Sequence, residues 1–216
     1  MKATVVLLSG GLDSSVLLGL AALGSSRVHA LSIYYGQRHM QEIACAKALV
    51  KQWDIPQEIV HVDAKIWKTV PLVGGPDELE TGRTRTAIAS GGVPRAYVPA
   101  RNTVFLSHGV SLAATLGGGE VLLGATREDL AGFPDCRPGF LMAFNMMLLE
   151  SLPANTMVRV SAPLANLTKT DVARLAQRLG LAPEQTWSCY RPRKDDTSCG
   201  VCDACVIRNA ALAEVG

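Results

Sequence analysis

A glycine- and serine-rich turn joins two apolar stretches around residue 10 of the chain. The turn is Ser9-Gly10-Gly11-Leu12-Asp13-Ser14-Ser15, and it lies between Thr4 to Leu8 and Val16 to Leu23. A strand, a turn and a helix start in this order gather free backbone N–H groups and the positive end of a helix dipole. Glycines let that backbone approach an anion closely. The turn therefore predicts an anion site beyond the carboxyl end of a strand.

Two common phosphate-binding patterns are absent from this turn. No Lys follows the glycines at the spacing of a Walker A loop, and the Gly-x-Gly-x-x-Gly pattern of dinucleotide binding is missing. A Gly/Ser hairpin or an ordinary helix cap would use the same residue types. The turn by itself leaves these alternatives open.

The composition is that of a globular protein with ample material for a core. The 216 residues suit one large domain or one domain with an appendage, and 48% of them are hydrophobic. The formal net charge of +2 is too small to predict a nucleic-acid surface. No apolar run reaches the ~18 residues of a membrane-spanning helix. We therefore expect a soluble cytoplasmic protein that binds neither membranes nor, stably, nucleic acid.

Strand-like and helix-like segments alternate along residues 1–182. The predicted strands after the first are Val28 to Tyr34, Glu58 to Val62, Glu120 to Leu123 and Met157 to Ser161. The predicted helices after the first are Gln41 to Trp53, Asn102 to Leu116, Phe140 to Leu152 and Lys169 to Leu179. Five alternating strands predict a doubly wound parallel sheet with helices on both faces. Residues 68–96, rich in Gly and Pro, predict a long excursion or lid.

The last of these helices has boundary signals of its own. Thr168 is a predicted N-cap, with Asp171 as a weak capping-box partner. Gly180 is predicted to end the helix.

Residues 183–216 differ in character and show no strand-helix rhythm. Cys189, Cys199, Cys202 and Cys205 form a C-x9-C-x2-C-x2-C array, which predicts one structural Zn²⁺ held by four thiolates. A redox pair, two disulfides or an iron–sulfur cluster would use the same residues. Cys45 lies in a helical pattern and is predicted to be a small core residue. We expect residues 183–216 to form a zinc-binding segment that follows the α/β domain.

Five further motifs accompany the turn and the cysteine array. They are Tyr35 to His39, Tyr97 to Thr103, Phe133 to Pro138, Thr168-Lys169 and Thr186 to Tyr190. The whole series, from about residue 4 to about residue 209, closely resembles the QueC family of 7-cyano-7-deazaguanine synthases. The turn itself resembles the loop of the PP-loop ATP pyrophosphatases, and for this reason we call it the PP-loop.

The resemblance implies a carbon–nitrogen ligase with a PP-loop ATP-binding domain, and a homodimer. The implied reaction converts 7-carboxy-7-deazaguanine and ammonia into 7-cyano-7-deazaguanine. ATP, supplied with Mg²⁺, would adenylate first the carboxylate and then the amide oxygen, and each step would release AMP and diphosphate. A carboxylate needs this activation because its own oxygen is a poor leaving group.

The resemblance also assigns an ATP site and a set of catalytic residues. The expected ATP-binding residues are Leu8, Ser9, Gly10, Gly11, Leu12, Asp13, Ser14, Ser15, Arg38, Arg101 and Lys169. Asp13 would orient the PP-loop or help hold Mg²⁺, although it could simply cap the helix. Lys169 opens a helix, where a cation is locally unfavourable, and this suggests that it faces phosphate. Catalytic roles are expected for Asp13, Arg101, Arg137 and Lys169.

The expected substrate-binding residues follow the strands and precede the middle helix. They are Tyr35, Gln37, Asn102, Asp129, Phe133, Asp135 and Arg137. Asp135, and after it Asp129, would accept hydrogen bonds from the ring N1–H and 2-amino group. Phe133 would stack on the ring or be buried, and Asn102 would bind substrate or cap its helix. Cys136 is expected to serve packing only.

Three positions depart from the family pattern and leave the acceptor open. Thr126 stands where Asn is usual, Phe133 where Tyr is common, and Gly139 where Glu is common. One alternative keeps the adenylation but conjugates the deazaguanine to an amine of a partner protein. A tRNA-modifying PP-loop enzyme and a non-enzymatic zinc module are further alternatives.

Overall fold

Five parallel strands form one sheet in the order β3-β2-β1-β4-β5. The computed structural model describes residues 2–24, 27–37 and 40–216. The strands are β1 (Ala3–Leu7), β2 (Val28–Tyr34), β3 (Gln57–His61), β4 (Gly119–Leu122) and β5 (Val158–Ser161). The first strand lies in the centre, so the PP-loop that follows it opens at the point where the strand order reverses. The predicted five-stranded parallel sheet is confirmed.

Helices cover both faces of the sheet. They are α1 (Leu12–Gly24), α2 (Gln41–Gln52), α3 (Arg85–Ser90), α4 (Arg101–Thr115), α5 (Asp129–Gly132), α6 (Pro138–Ser151), α7 (Lys169–Arg178) and α8 (Asp203–Ala213). On β1, Val6 packs with α1, α2 and α7, whereas Val5 and Leu7 pack with α4 and α6. Successive strand residues point to opposite faces, so one apolar strand supplies two cores. No described helix is both long enough and apolar enough to span a bilayer.

The boundary signals of α7 are confirmed. The hydroxyl of Thr168 accepts a hydrogen bond from the Asp171 backbone N–H at 3.1 Å, and the Thr168 N–H donates to the Asp171 carboxylate at 3.0 Å. Gly180 adopts a φ of +67°, a left-handed conformation that closes the helix.

The excursion of residues 68–96 packs as a wall beside the sheet. It contains a short 3-10 turn at Pro71–Val73 and the short helix α3. Its anchor is a separate apolar cluster in which Trp67, Leu72 and Val98 surround Tyr35. The excursion also reaches the C-terminal segment, where the Gly82 N–H donates to the Val201 carbonyl at 2.8 Å.

The sequence showed no strand-helix rhythm after residue 183, and this interpretation was wrong because the segment contains the helix α8. This helix spans Asp203–Ala213 and packs against α7. Cys202 is its N-cap, with extended backbone angles, and Asp203 supplies an acidic first turn that suits the helix dipole. Four alanines follow within the helix, and Ala is the best helix former. These helix signals were overlooked because the cysteines suggested irregular metal-binding loops. The division of the chain at residue 182 stays a prediction.

Candidate active site and metal centre

A cavity of about 270 Å³ opens at the carboxyl ends of the strands. Its walls come from the PP-loop, from residues after β2 and β4, from the start of α7, from the excursion and from the C-terminal segment. Chain segments far apart in sequence thus converge where ligands bind in open α/β sheets.

The PP-loop is held by its own serine hydroxyls. The Ser14 hydroxyl accepts from the Ser9 N–H at 3.2 Å and donates to the Gly11 carbonyl at 3.2 Å, while the Gly11 N–H donates to the Ser9 hydroxyl at 3.1 Å. Gly10 has a φ of +91°, and a Cβ there would lie 2.0 Å from the carbonyl oxygen of Glu42. Only glycine fits this position. The loop is therefore shaped before any anion arrives.

Asp13 and Lys169 form an ion pair at the mouth of the PP-loop. Lys169 Nζ lies 2.6 Å from Asp13 Oδ2, and the two side chains are 12% and 24% exposed. Burial by itself lowers the pKa of Lys169, but the charges of Asp13 and Asp129 outweigh it and the net shift is upward. Burial raises the pKa of Asp13, and Lys169 opposes that rise. Lys169 therefore stays cationic beside the loop.

The two carboxylate oxygens of Asp13 differ in their hydrogen-bond partners. Asp13 Oδ1 is buried without a hydrogen-bond partner among the described residues. Since α1 begins at Leu12, Asp13 lies inside the helix and is not its cap. A buried oxygen without a donor fits a site for a hard cation such as Mg²⁺.

Arg101 reaches the cavity from the first turn of α4. Its Nη1 donates to the Tyr35 hydroxyl at 3.1 Å, and its guanidinium carbon lies 5.5 Å from the ring centroid of Tyr35 and 5.8 Å from that of Phe105. Burial lowers the pKa of Arg101, but Tyr35, Tyr190 and Asp135 reverse that effect. The preceding residue, Ala100, holds a left-handed φ of +54° that turns the chain into the helix. The result is a permanent cation on an aromatic platform.

Asp135 and Asn102 are bonded to each other. Asp135 Oδ2 accepts the backbone N–H of Asn102 at 2.9 Å, and Asn102 Nδ2 donates to the Asp135 carbonyl at 3.1 Å. The carboxylate of Asp135 thus satisfies a free N–H in the first turn of α4, while Ala100 is the N-cap. Asn102 lines the cavity, but Asp135 does not.

Some of the other predicted substrate-binding residues line the cavity, and others do not. Asp129 and Phe133 line the cavity, and Asp129 Oδ2 accepts from the N–H and the hydroxyl of Thr126, each at 2.8 Å. Arg137 is exposed and donates to the carbonyls of Leu130 and Ala131, away from the cavity. Asn102 also donates to Cys136 Sγ at 3.2 Å, and burial raises the pKa of this thiol to about 12.

The remaining predicted residues lie at the carboxyl ends of β1 and β2. Leu8, Ser9, Gly11, Leu12, Ser14, Tyr35 and Gln37 line the cavity. Gln37 Oε1 accepts the Tyr35 N–H at 3.0 Å, which fixes this turn. The Ser15 hydroxyl is buried without a partner among the described residues. Arg38 lies outside the described residues, as does His39.

Sequence reasoning missed several cavity-lining groups. Among them are Glu42 on α2, Tyr190 beside the first cysteine, and Arg208 on α8. Arg208 donates to the Ser188 hydroxyl at 3.1 Å and to the Pro183 carbonyl at 2.5 Å. Its position three residues after Cys205 and three before Ala211 places it on the buried side of α8, a spacing that could have revealed it.

The four cysteines of the C-terminal array come together as one cluster. Their sulfur atoms all lie within 4.8 Å of one another, and all six cysteines of the chain are unpaired. Four sulfurs at ~2.3 Å from a tetrahedral metal ion are separated by ~3.8 Å, so the cluster is the right size for one ion. The Cys199 N–H donates to Cys189 Sγ and the Cys202 N–H donates to Cys199 Sγ, both at 3.3 Å, which favours thiolates.

The fold and the site define a PP-loop-like α/β protein with a four-cysteine cluster that could hold a metal ion. Among solved structures, the U34-tRNA thiolase NcsA from Methanococcus maripaludis, with its [4Fe-4S] cluster, matches with a TM-score of 0.52 at 15% identity. That match covers 99% of this chain and 65% of the thiolase, and it shows the fold alone.

The chain belongs to the QueC family, because the family model described as queuosine biosynthesis protein QueC matches residues 3–216. A 7-cyano-7-deazaguanine synthase from Thermoplasma acidophilum is 37% identical over all of this chain and 89% of the relative. The synthase of the same name from Frankia casuarinae is 41% identical over 99% of this chain and 91% of the relative. The predicted family is confirmed, and with it an enzyme of the ligase type.

Proposed function

We propose that this protein converts 7-carboxy-7-deazaguanine and ammonia into 7-cyano-7-deazaguanine at the cost of two ATP, which become AMP and diphosphate. Curated relatives at 37% and 41% identity over nearly the whole chain have this name. The observation that carries the proposal is one cavity in which the PP-loop and Lys169 meet Arg101 on its aromatic platform. Such a site can align an ATP tail with an anionic substrate.

The PP-loop end of the cavity is the proposed ATP site. The N–H groups at the start of α1 and the Ser9 and Ser14 hydroxyls suit the β- and γ-phosphates. Lys169 would neutralise charge that moves onto the departing diphosphate. Asp13 Oδ1 would contribute to Mg²⁺ binding, because it is the oxygen left free by the ion pair.

The other end is the proposed acceptor site. Arg101 would pair with the substrate carboxylate, since its charge is fixed and it lines the cavity. Asp129 and Phe133 would contact the ring, because both face the cavity. Asp135 would support these residues indirectly through its bond to the start of α4, and Arg137 through its bonds to the carbonyls of α5.

The metal is proposed to be a single structural Zn²⁺. Four thiolates close a tetrahedral site and leave no position for chemistry. Sulfurs within 4.8 Å favour one ion over a larger iron–sulfur cluster, whose own atoms would separate the cysteines. The ion would fix the segment from Trp187 to α8, which lines the cavity.

The test is a defined reaction followed by mass spectrometry. Purified full chain is incubated with ATP, Mg²⁺, ammonium and 7-carboxy-7-deazaguanine, and both base and nucleotide are measured. Nitrile together with AMP is the expected result, whereas ADP would contradict the proposal. A mass increase on a partner protein, without nitrile, would favour conjugation to a protein amine, and the departures at Thr126 and Gly139 motivate this comparison. Homodimer formation, cytoplasmic location and the absence of stable nucleic-acid binding stay predictions.

A further inference from the structure

Among the described residues, five carboxylate side chains line the cavity, and four of them have at least one hydrogen-bond or ion-pair partner. Asp13 pairs with Lys169, Glu128 accepts the Lys169 backbone N–H at 3.0 Å, and Asp129 accepts two bonds from Thr126. Asp203 receives the guanidinium of Arg83, with Nε to Oδ1 at 3.1 Å. Glu42 is the fifth, and among the described residues its carboxylate has no hydrogen-bond or ion-pair partner.

Glu42 lies next to the PP-loop. It is the second residue of α2, and its backbone carbonyl packs against Gly10 so closely that a side chain on Gly10 is impossible. The first turn of α2 is thereby fixed against the loop that would hold ATP. Glu42 is half-buried and lines the cavity.

The charged and titratable groups around Glu42 come from three other elements and from its own helix. They are Arg101 of α4, Tyr35 after β2, Tyr190 of the C-terminal segment and Cys45 of α2. Burial raises the pKa of Glu42 to about 7, although Arg101 opposes the shift. Burial also raises the pKa of Tyr35 and Cys45, which keeps both groups protonated at neutral pH. Glu42 differs from these two neighbours because its pKa lies near neutrality.

The proposed reaction must release protons inside the cavity. When ammonia attacks the acyl carbon of the first adenylate, a C–N bond forms, the C–O bond to AMP breaks, and the nitrogen loses a proton. In the second half, the amide oxygen attacks the α-phosphorus of ATP, the bond from that phosphorus to the diphosphate oxygen breaks, and diphosphate leaves while the nitrogen loses another proton. When AMP then leaves, the last N–H electron pair completes the C≡N bond and its proton departs.

We propose that Glu42 is the general base that accepts these protons from the nitrogen. The inference rests on the proposed function and deepens it. An ionised Glu42 takes a proton on a carboxylate oxygen and returns it to solvent through the cavity mouth. The same carboxylate has no role in the attack of the acid's carboxylate oxygen on ATP, because that step releases no proton from nitrogen. The first adenylation therefore separates from the nitrogen chemistry at this residue.

The experiment compares Glu42→Gln with the parent enzyme in two assays. ATP–diphosphate exchange with the acid, without any amine, reports adenylation and is expected to change less than about threefold. Amide and nitrile formation with ammonium is expected to fall about 100-fold or more, the usual range for a lost general base. Hydroxylamine, which is largely unprotonated at neutral pH, is expected to restore part of the acyl-transfer rate. Glu42→Asp is expected to retain an intermediate rate.

The pH profile gives an independent reading. With hydroxylamine as the amine, the parent rate is expected to rise through pH 7 as Glu42 ionises, and this limb is expected to disappear in Glu42→Gln. Exposed Glu150 on α6 provides the matched control, since Glu150→Gln should change neither assay. Thermal melting and metal content check that each variant is folded.

Three outcomes would overturn the inference. Exchange that falls in parallel with amide formation would place Glu42 in ATP binding, an unchanged pH limb would remove its titration from the reaction, and full nitrile formation by Glu42→Gln would exclude the role. Failure of the proposed function looks different, because the parent enzyme itself would then make no nitrile.

Discussion

The backbone N–H of Trp187 donates to the carbonyl oxygen of Gly10 across 2.9 Å. Trp187 lies two residues before Cys189, and its indole N–H donates to the Cys189 carbonyl at 2.9 Å. On the other side, Arg208 of α8 donates to the carbonyls of Pro183 and Thr186. The cysteine cluster is therefore connected to the PP-loop by two short hydrogen-bonded steps.

Loss of the metal is expected to weaken ATP binding. Cys202→Ser leaves three thiolates around an ion that needs four, so the segment from Trp187 to α8 loses its fixed position. We expect metal content well below one ion per chain, a lower Tm and at least about tenfold weaker ATP binding, equivalent to about 1.4 kcal/mol. Elemental analysis and calorimetric titration measure these effects.

A matched cysteine variant separates metal loss from general damage. Cys45 is half-buried on α2 and lies outside the cluster, so Cys45→Ser should keep both the metal and the ATP affinity. Equal ATP affinity for Cys202→Ser and the parent protein, despite metal loss, would show that the hydrogen bonds to Gly10 do not depend on the ion.

Substitutions of Arg101 and Arg137 are expected to have very different effects on ATP–diphosphate exchange, although the sequence predicted a catalytic role for both residues. Arg101→Ala removes the buried cation from the cavity, and we expect ATP–diphosphate exchange with the acid to fall about 100-fold or more. Arg137 is exposed and bonds two carbonyls outside the cavity. Arg137→Ala should therefore change exchange less than about threefold, in line with surface substitutions of about 0.5 kcal/mol. Similar losses in the two variants would contradict the geometry.

Much of the fold was readable from local patterns. The apolar runs of β1 and β2, the capping pair Thr168 and Asp171, and Gly180 after α7 all depend on neighbours a few residues away. The helix α8 was missed for the opposite reason, because its cysteines suggested irregular metal-binding loops. Its start at Asp203 follows from Cys202 as N-cap, a role that sequence preferences for Ser, Thr, Asp and Asn do not predict.

The position of a candidate site residue could be predicted where its residue type limits what it can do. It was harder to predict where the hydrogen-bond partners of the side chain determine what it can contact. Ser9, Asp13 and Lys169 meet as expected at the PP-loop. Asp135 had the right chemistry to contact a ring edge, but its carboxylate is bonded to Asn102. A side chain's partners depend on the tertiary arrangement of α4 and the turn before α6, which no local pattern contains. Glu42 was missed because an acidic residue in a first helical turn ordinarily indicates only a favourable dipole contact.

The stability of the protein is expected to depend on pH through Glu42. The pKa of Glu42 in the folded state is about 7 and lies above the ordinary 4.5, so between these pH values the folded protein holds a proton on Glu42 that the unfolded chain has lost. The free energy of unfolding therefore decreases as the pH rises from about 4.5 to about 7. Glu42→Gln should remove that loss. We expect the variant to gain on the order of 1–3 kcal/mol relative to the parent between pH 4.5 and pH 8, after allowance for partial exposure.

Urea unfolding at the two pH values measures this difference. Glu150→Gln, on the exposed side of α6, should show the same stability offset from the parent at both values. A constant offset for Glu42→Gln as well would mean that Glu42 has its ordinary pKa in the folded protein.

The ion pair of Arg83 and Asp203 is expected to hold the excursion against α8. Both side chains line the cavity, at 22% and 10% exposure, and beside them Thr81 bridges to Cys202. Asp203→Asn should leave a half-buried Arg83 without its anion, at a cost of about 3 kcal/mol, and should free the excursion first. We expect faster tryptic cleavage at Arg83 and a higher KM for the acid with little change in ATP–diphosphate exchange at saturating acid. Exposed Asp77 in the same excursion gives the control, and cleavage of Asp203→Asn no faster than that of Asp77→Asn would show that the pair does not fasten this wall.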